Sequence, residues 1–193
     1  MIDRLVGRIA RITIDHPVRV CVDGPSAAGK TTLADRLAQA LRPARMVIRA
    51  ELDRFMTMVE DPDAHPYDSP ESFYLDAWDY PAIRADLLEP LGPDGTRRYR
   101  TAPGGQGRTA PDDAILLADG VFLQRPELDT YWDLRIYLHV EPAESLRRAV
   151  ARDQHWRGGA AVAERRYRTT YLPAELRYQA QVHPRDRAQI VIS

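Results

Sequence analysis

The chain has 193 residues, of which 27 are basic and 28 are acidic, and its formal net charge at pH 7 is −1. This length and a hydrophobic content of 44% suit one domain with or without a small lid, and the near-neutral charge gives no reason to expect a nucleic acid or an anionic membrane as partner. A single cysteine excludes an internal disulfide framework. The apolar runs are well short of the roughly 18 residues that a membrane span needs, which excludes a transmembrane helix. Together these features predict a soluble cytoplasmic protein.

The first half of the chain alternates predicted helices with predicted strands. Apolar residues at helical spacing predict an amphipathic N-terminal helix, whose hydrophobic face could pack on another copy in a homo-oligomer. The β-branched run Val18–Gly24 predicts a buried strand, Thr31–Leu41 predicts a helix, and Arg45–Leu52 predicts a second strand. Residues 61–80 are rich in proline, aspartate and aromatic side chains, and we expect an irregular segment there.

The second half continues this alternation and defines the fold class. Further helices are expected at 80–92, at 141–153 and, with a break or kink at Pro173, at 161–180. Further strands are expected within 114–123, 133–140 and 188–193, and the turn-rich segment 92–113 is expected to be exposed. Because strands that alternate with helices form parallel sheets covered on both faces, we predict a doubly wound, three-layer α/β/α fold over residues 1–193.

A phosphate-binding motif lies between the first predicted strand and the helix that follows it. Gly24–Thr31 reads GPSAAGKT, which matches the pattern GxxxxGK followed by Ser or Thr. Glycines bring backbone N–H groups close to phosphate oxygens, and the helix N-terminus adds its positive end. Lys30 would bridge the β- and γ-phosphates of ATP, and Thr31 would place its hydroxyl on Mg²⁺. The predicted nucleotide-binding residues are Gly24, Pro25, Ser26, Ala27, Ala28, Gly29, Lys30, Thr31 and Thr32.

The lysine of this motif is the only lysine in the chain, whereas the other 26 basic residues are arginines. A lysine carries a compact point charge on a flexible stem, while an arginine presents a wide planar fork. A phosphate loop leaves room for an ammonium group between phosphate oxygens, and a guanidinium would be too broad. The geometry of phosphate binding therefore explains why this position departs from the composition of the chain.

Two acidic residues follow predicted strands, at the sheet edge where ligands bind in open α/β sheets. Asp119 ends an apolar run and precedes a glycine, and we expect it to support Mg²⁺, with a turn-forming Asp-Gly as the alternative. Asp53 could accept the proton of an attacking hydroxyl, or it could cap a helix, and Glu51 is a rival for the base. Asp23 is expected to shape the loop.

A group of arginines near the C-terminus is a candidate lid. Arg148 and Arg152 lie one helical turn apart and share a face, Arg157 follows them, and the pair Gly158-Gly159 could act as a hinge. Phosphoryl transfer spreads negative charge over the moving group, and a mobile arginine lid stabilises that charge and excludes water. A solvated basic helix face is the alternative to a lid over roughly 147–165.

With these motifs, the chain resembles the uridine kinase-like branch of the P-loop nucleoside kinases. The resemblance runs along nearly the whole chain and is specific at DGPSAAGKTTLADRLA, at LLADGVFL and at the following WDLRIYLHV. RRAVARDQHWRGG is similar to the lid of that family, and RAQIVIS is similar to its closing strand. The resemblance implies Asp53 as general base, Asp68 as ribose ligand and Tyr99 as a contact of the substrate base. It implies Arg148, Arg152 and Arg157 as lid arginines.

The activity that this resemblance implies is ATP- and Mg²⁺-dependent transfer of a phosphoryl group to a small molecule, first of all to the 5′-hydroxyl of a pyrimidine nucleoside. The chain has Asp119 where uridine kinases usually carry glutamate, and it has no histidine shortly after Tyr99 to contact a uracil ring. A kinase for another small alcohol, such as pantothenate, or for a nucleoside monophosphate is an alternative. A second alternative is a nucleotide-dependent switch, which would not need an acceptor base.

Overall fold

The computed structural model describes residues 1–57, 67, 69–155 and 158–193. The helices are α1 (Ile2–Ala10), α2 (Lys30–Leu41), α3 (Pro70–Asp76), α4 (Tyr80–Ala82), α5 (Pro142–Asp153), α6 (Ala160–Arg166), α7 (Leu172–Val182) and α8 (Pro184–Arg187). The strands are β1 (Val18–Asp23), β2 (Val47–Glu51), β3 (Arg98–Tyr99), β4 (Arg108–Thr109), β5 (Ile115–Asp119), β6 (Leu134–Leu138) and β7 (Ile190–Ile192). Across these residues, no helix has both the length and the apolar composition for crossing a membrane.

The described strands form a five-stranded parallel sheet in the order β2-β5-β1-β6-β7, and β3 and β4 form a separate antiparallel pair. The predicted doubly wound α/β fold is confirmed, and each predicted strand contains an observed one. The connections that leave β1 and β5 run toward opposite edges of the sheet. In such sheets a crevice opens at the carboxyl ends of the two strands where the direction changes, and ligands bind there.

One face of the sheet is covered by the first two helices. The side chains of Val20 and Val22 in β1 point to this face and pack in one apolar cluster with Leu37 of α2 and with Leu5 and Ile9 of α1. The predicted amphipathic N-terminal helix therefore buries its apolar stripe against its own chain. Association of copies through this helix stays a prediction.

The opposite face carries an aromatic cluster centred on Phe122. The ring of Phe122 meets Phe73, Tyr74, Trp78 and Tyr178 at centroid distances of 5.8, 5.2, 5.4 and 5.1 Å. Such edge-to-face contacts are each worth about 0.5–1.5 kcal/mol beyond the area that they bury. This cluster joins α3 and α7 to the segment that follows β5, which is one side of the crevice.

The segment 61–80 is not irregular throughout, because residues 70–76 form α3. Ser69 and Ser72 cap its start reciprocally, each accepting a hydrogen bond from the backbone N–H of the other, and Pro70 occupies the first turn. Prolines are favoured at this position because the missing N–H has no partner there in any case. The proline that suggested irregular structure is thus part of a helix start.

A wide π-helical turn joins α6 to α7. The turn spans Tyr167–Tyr171, and Pro173 lies in the first turn of α7 directly after it. A proline inside a helix lacks the N–H for the usual hydrogen bond and crowds the preceding turn. The break or kink expected at Pro173 is therefore a local widening, and the helical path continues to Val182.

The loop after β1 begins at a residue with no room for a side chain. A Cβ on Gly24 would lie 2.6 Å from the carbonyl oxygen of Leu138 in β6. We expect Gly24→Ala to lower the free energy of unfolding by about 2 kcal/mol, because the backbone of either segment must move. Urea unfolding followed by circular dichroism measures this change.

Gly7 in α1 is the matched control for that substitution. A Cβ there would meet no atom within 4 Å, so Gly7→Ala should raise stability by about 0.5–1 kcal/mol through helix propensity. Equal effects of the two substitutions would contradict the close packing of the loop on β6.

Candidate active site

The loop at residues 24–29 connects β1 to α2 and has the backbone of an anion-binding loop. Ala27 and Gly29 adopt left-handed conformations, with φ of 55° and 91°, and Gly29 is the N-cap of α2. The first N–H groups of a helix have no partner within the helix. Because α2 begins at Lys30, these donors and the positive end of the helix dipole lie at the carboxyl edge of the sheet.

An open cleft of about 450 Å³ at this edge brings together residues from four separate segments. Its lining residues are Ser26, Ala27, Ala28, Gly29, Lys30, Thr31, Thr32, Asp53, Asp119, Gly120, Val121, Arg148 and Arg152. The phosphate-loop motif, both predicted acids and two of the predicted lid arginines thus share one cavity. The sequence predicted these groups from unrelated patterns, and the fold gathers them at the crevice between β1 and β5.

Thr31 and Asp119 form a hydroxyl–carboxylate pair at the base of the cleft. The Thr31 hydroxyl donates to Asp119 at 2.6 Å. Hydroxyl and carboxylate oxygens are the hard ligands that Mg²⁺ prefers, and Mg²⁺ commonly uses one or two protein oxygens together with water and substrate phosphates. In the described part of the chain there is no cluster of three or more acidic, histidine or cysteine side chains that would hold a metal by itself. The oxygens of Thr31 and Asp119 therefore suit a Mg²⁺ ion whose other ligands are water and the phosphates of a bound nucleotide.

Arg49 in β2 holds Asp119 from the other side, and no sequence motif points to it. Its guanidinium donates to the Asp119 carboxylate at 2.7 Å, to the Leu117 carbonyl at 2.7 Å and to Asp35 at 2.9 Å. Asp119 is only 4% exposed, so its charge needs such a partner. The alternation of β2 could have shown that Arg49 shares a sheet face with Glu51, but not which side chain it meets.

Lys30 donates a hydrogen bond to the Pro25 carbonyl oxygen at 2.8 Å, across the loop. Burial lowers the pKa of its ammonium group. Four surrounding acids act in the opposite direction, and Glu175 acts most strongly among them, followed by Asp53, Asp23 and Asp119. Lys30 therefore lines the cleft among carboxylates that oppose the effect of its burial.

Asp53 lies on a short helical turn, Leu52–Phe55, that begins where β2 ends. Its carboxylate is open to the cleft, yet the surrounding protein removes enough water to raise its pKa. The positive charges of Lys30 and Arg152 work against this rise, and Asp119 and Glu51 add to it. Glu51 is exposed at the end of β2, and it is absent from the described lining of the cleft. Of the two candidate bases, Asp53 lines the cleft beside the loop and Glu51 is not among the lining residues.

The predicted lid arginines on α5 are both paired with acids. Arg148 donates to Glu144 at 2.7 Å. Arg152 donates to Asp153 at 2.7 Å and to the Tyr167 hydroxyl at 2.9 Å, which ties α5 to the π turn. Arg157 lies outside the described residues. The role of these arginines as a lid stays a prediction.

Of the two predicted substrate contacts, Tyr99 is described by the structure, and it is not among the lining residues of the cleft. Tyr99 is 2% exposed in the β3–β4 pair, and it packs in the same core cluster as Phe122. Asp68 lies outside the described residues. Both assignments rest on the resemblance and stay predictions.

Asp23 supports the loop from beneath, as predicted for a loop-shaping residue. Its buried carboxylate accepts hydrogen bonds from the Gly24 N–H at 2.8 Å, from the Gln124 side chain at 3.0 Å and from the Tyr178 hydroxyl. Burial raises the pKa of Asp23, and these donors together with Lys30 oppose that effect. The first residues of the loop are thereby fixed to β1 and α7.

A second open cleft of about 420 Å³ adjoins the first and shares Ala28 and Arg148 with it. Its remaining lining residues are Leu138, His139, Val140, Glu141, Glu144, Ile192 and Ser193, which come from the ends of β6 and β7 and the start of α5. A ligand with its phosphates at the loop could extend into this cleft past Ala28.

Solved structures match this fold along the whole chain. A possible uridine kinase from Bacillus stearothermophilus is 22% identical, with 100% of this chain and 97% of that chain covered and a TM-score of 0.73. A candidate fructose transport system kinase from Silicibacter sp. is 19% identical, with coverage of 100% and 99% and a TM-score of 0.73. A candidate P-loop kinase with a circular permutation, from Saccharomyces cerevisiae, is 10% identical, with coverage of 100% and 98% and a TM-score of 0.64.

The fold is that of the P-loop kinases. No family model matches the chain, and no curated protein matches it in sequence. The likeness to solved kinases is therefore one of architecture, and the cleft residues carry the functional interpretation.

The ion pair behind Asp119 gives a test of the site's construction. Arg49→Leu leaves the buried Asp119 carboxylate without its cationic partner, and we expect a loss of about 3 kcal/mol in the free energy of unfolding. Asp35→Ala removes the exposed partner of the same arginine, and it should cost less than about 1 kcal/mol. Equilibrium unfolding of the two variants compares these costs, and similar losses would refute the proposed importance of Arg49.

Proposed function

We propose that this protein is an ATP- and Mg²⁺-dependent kinase that transfers the γ-phosphoryl group to a hydroxyl of a small molecule. One observation carries this proposal: the phosphate loop, the Thr31–Asp119 pair and the Asp53 carboxylate line the same cleft. A protein that only binds or slowly hydrolyses nucleotide needs the phosphate loop and the Thr31–Asp119 pair. A carboxylate that faces the loop with a raised pKa is what transfer to a hydroxyl requires in addition.

The residues of the cleft have distinct roles in this reaction. The loop N–H groups and Lys30 bind the phosphates, and Arg148 and Arg152 would neutralise charge on the transferring group. Asp53 orients the acceptor hydroxyl and takes its proton, as the acceptor oxygen bonds to the γ-phosphorus and the bond to the ADP oxygen breaks. Thr31 and Asp119 would hold Mg²⁺, which would supply neutralisation of the phosphate charge when it is bound.

The adjoining cleft supports a nucleotide as phosphoryl donor. It opens directly beside Ala28 and Arg148 of the phosphate-binding cleft, where the base and sugar of a bound ATP could extend. His139 and Glu141 line this cleft, with 3.0 Å between Nε2 of the histidine and Oε1 of the glutamate. Their polar atoms could hydrogen-bond a heterocycle. We assign this cleft to the nucleoside part of the donor.

Our first candidate for the acceptor is a pyrimidine nucleoside, and we propose that the protein acts in the cytoplasm. The resemblance in sequence and the likeness to a possible uridine kinase support it, with Asp68 and Tyr99 as proposed contacts. A second candidate is a sugar or a similar alcohol. The candidate fructose transport system kinase matches with the same TM-score of 0.73, and the burial of Tyr99 in the core also favours a smaller acceptor.

A panel of acceptors distinguishes these candidates. ADP release from Mg²⁺-ATP would be measured with uridine, cytidine, purine nucleosides, nucleoside monophosphates, pantothenate, fructose and glycerate, with Lys30→Ala as the blank. Stimulation by one compound above the blank identifies a kinase and its acceptor class. Lys30-dependent nucleotide binding without stimulation by any acceptor would favour the switch instead.

The base assignment gives a sharper test. Asp53→Asn should lower kcat by about 10²–10⁴-fold, because the amide cannot accept the hydroxyl proton, while the Kd of Mg²⁺-ATP changes little. Glu51→Gln, the same chemical change two residues earlier, should leave kcat nearly unchanged. Steady-state kinetics and nucleotide titration measure both quantities, and the reverse pattern would assign the base to Glu51.

A further inference from the structure

A third open cleft, of about 630 Å³, lies at the edge of the sheet opposite the phosphate loop. One wall is a face of α1, and the other includes Asp133 and Gln189, which directly precede β6 and β7. Because β6 and β7 run parallel to β1, their first residues lie away from the carboxyl edge where the loop begins. We call this space the arginine cleft, after the lining residues Arg4, Arg8 and Arg11.

The three arginines form one row along α1. They follow one another at intervals of four and three residues, and Arg11, the C-cap, keeps a right-handed helical backbone with φ of −82°. Residues at these intervals are neighbours on a helix surface, where like charges destabilise the helix. At a rise of about 1.5 Å per residue, the row extends over about 10 Å. It therefore presents three positive charges side by side to the cleft.

Protein acids compensate little of this charge. The three arginines are exposed, and they make no ion pair or hydrogen bond with any residue that the structure describes. Asp133 in the opposite wall is already occupied by Arg19, whose guanidinium donates to its carboxylate at 3.1 and 3.2 Å. Asp3 is exposed at one end of the row. In the described lining, three arginines thus face a single acid that is not already paired.

The helix dipole does not account for the row. Basic side chains are favoured near the C-terminus of a helix, which suits Arg8 in the last turn and Arg11 at the C-cap. Arg4 lies in the first turn, where the positive end of the dipole disfavours a cation. An anion bound along the row would compensate all three charges.

Gly7 leaves this cleft open. A glycine inside a helix is less favourable than an alanine. A Cβ on Gly7 would meet no atom within 4 Å, so close packing does not require the glycine. Because Gly7 itself lines the cleft, the missing side chain leaves room beside the arginines.

The opposite wall offers a neutral donor. The side-chain oxygen of Gln189 accepts a hydrogen bond from the backbone N–H of Arg135 at 2.8 Å. Its amide nitrogen has no acceptor among the residues that the structure describes. An anionic ligand in the cleft could accept from this nitrogen as well as from the guanidinium groups.

We propose that the arginine cleft is a second ligand site, which binds a small molecule carrying two or more phosphate groups. The planar fork of an arginine matches phosphate oxygens. A phosphate ester carries about 1.5–2 negative charges, so two or more such groups in line suit a row of three cations over about 10 Å. The concave shape and the volume suit a small molecule. Because this site is separate from the nucleotide cleft, the inference goes beyond the proposed function.

Tripolyphosphate without Mg²⁺ is the probe for this site. Titration calorimetry would use Lys30→Ala as the parent protein, in which binding to the phosphate loop is weakened. We expect tripolyphosphate to bind more tightly than pyrophosphate, and pyrophosphate more tightly than phosphate. Adding Arg8→Gln should raise the Kd about tenfold or more. Adding Arg36→Gln instead, which changes an exposed arginine of α2 outside the cleft, should leave the Kd unchanged.

A second substitution separates ligand binding from folding. Gly7→Leu in the same parent places a side chain in the cleft and should also raise the Kd about tenfold. Its melting temperature without ligand should rise, because leucine favours helix more than glycine does. Ala10→Leu, at an exposed site of the same helix outside the cleft, should leave the Kd unchanged. Thermal unfolding with and without tripolyphosphate checks the order, since a ligand stabilises only a protein that binds it.

The outcomes separate this inference from the proposed function. Weaker binding in both Arg8→Gln and Gly7→Leu, with both controls like the parent, supports the second site. An unchanged Kd in either variant, or no binding by the parent, would overturn it and leave the kinase intact. A single-stranded oligonucleotide that binds through Arg8 more tightly than tripolyphosphate would overturn the assignment to a small molecule. A wild-type protein that fails to bind Mg²⁺-ATP would overturn the proposed function alone.

Discussion

The carboxylate of Asp23 is fully buried at the end of the central strand, and the construction of the site starts from it. Without water, its charge must be matched by donors from the protein. Those donors come from the first loop residue, from Gln124 after β5 and from Tyr178 in α7. Satisfying one acid therefore fixes the start of the phosphate loop, the segment that follows the second strand of the crevice and the helix that carries Glu175. The loop is prepared for an anion before any ligand arrives.

The same principle of compensated charge applies to two further charged side chains of the cleft, Asp119 and Arg152. Asp119 is shared between Thr31 and Arg49, and Arg152 is shared between Asp153 and Tyr167. Because each group already has a protein partner, its position is defined without nucleotide, which reduces the ordering that catalysis must otherwise supply. The arrangement also concentrates negative charge around a single ammonium. Under the proposed function, a polyphosphate that binds there would have to overcome the repulsion of these carboxylates.

Much of this architecture could be predicted from the sequence. The strands and the phosphate loop carry local signals, namely β-branched runs, glycines at fixed spacing and a lysine amid arginines. Asp119 and Asp53 follow from the rule that ligands bind at strand ends. Arg49 and Glu175 could not be predicted, because their importance depends on which distant residues the fold brings beside them. The helix at 70–76 does not follow from the pattern, because Pro70 lies in a proline-rich segment that favours irregular structure, although Ser69 and Ser72 carry a capping signal.

The π turn at Tyr167–Tyr171 sets the angular position of everything after it in the same helix. An α-helix advances by about 100° for each residue, so a single extra residue in one turn rotates the following segment by that amount. Deletion of one residue within the turn would restore regular spacing and leave α7 helical. It would also rotate Glu175 away from the Ser26 N–H, which donates to its carboxylate, and Tyr178 away from Asp23, which accepts from its hydroxyl. The length of this short turn therefore determines which side chains of α7 face the β1–α2 loop, and helices of closely similar sequence but different turn length would not present equivalent faces to that loop.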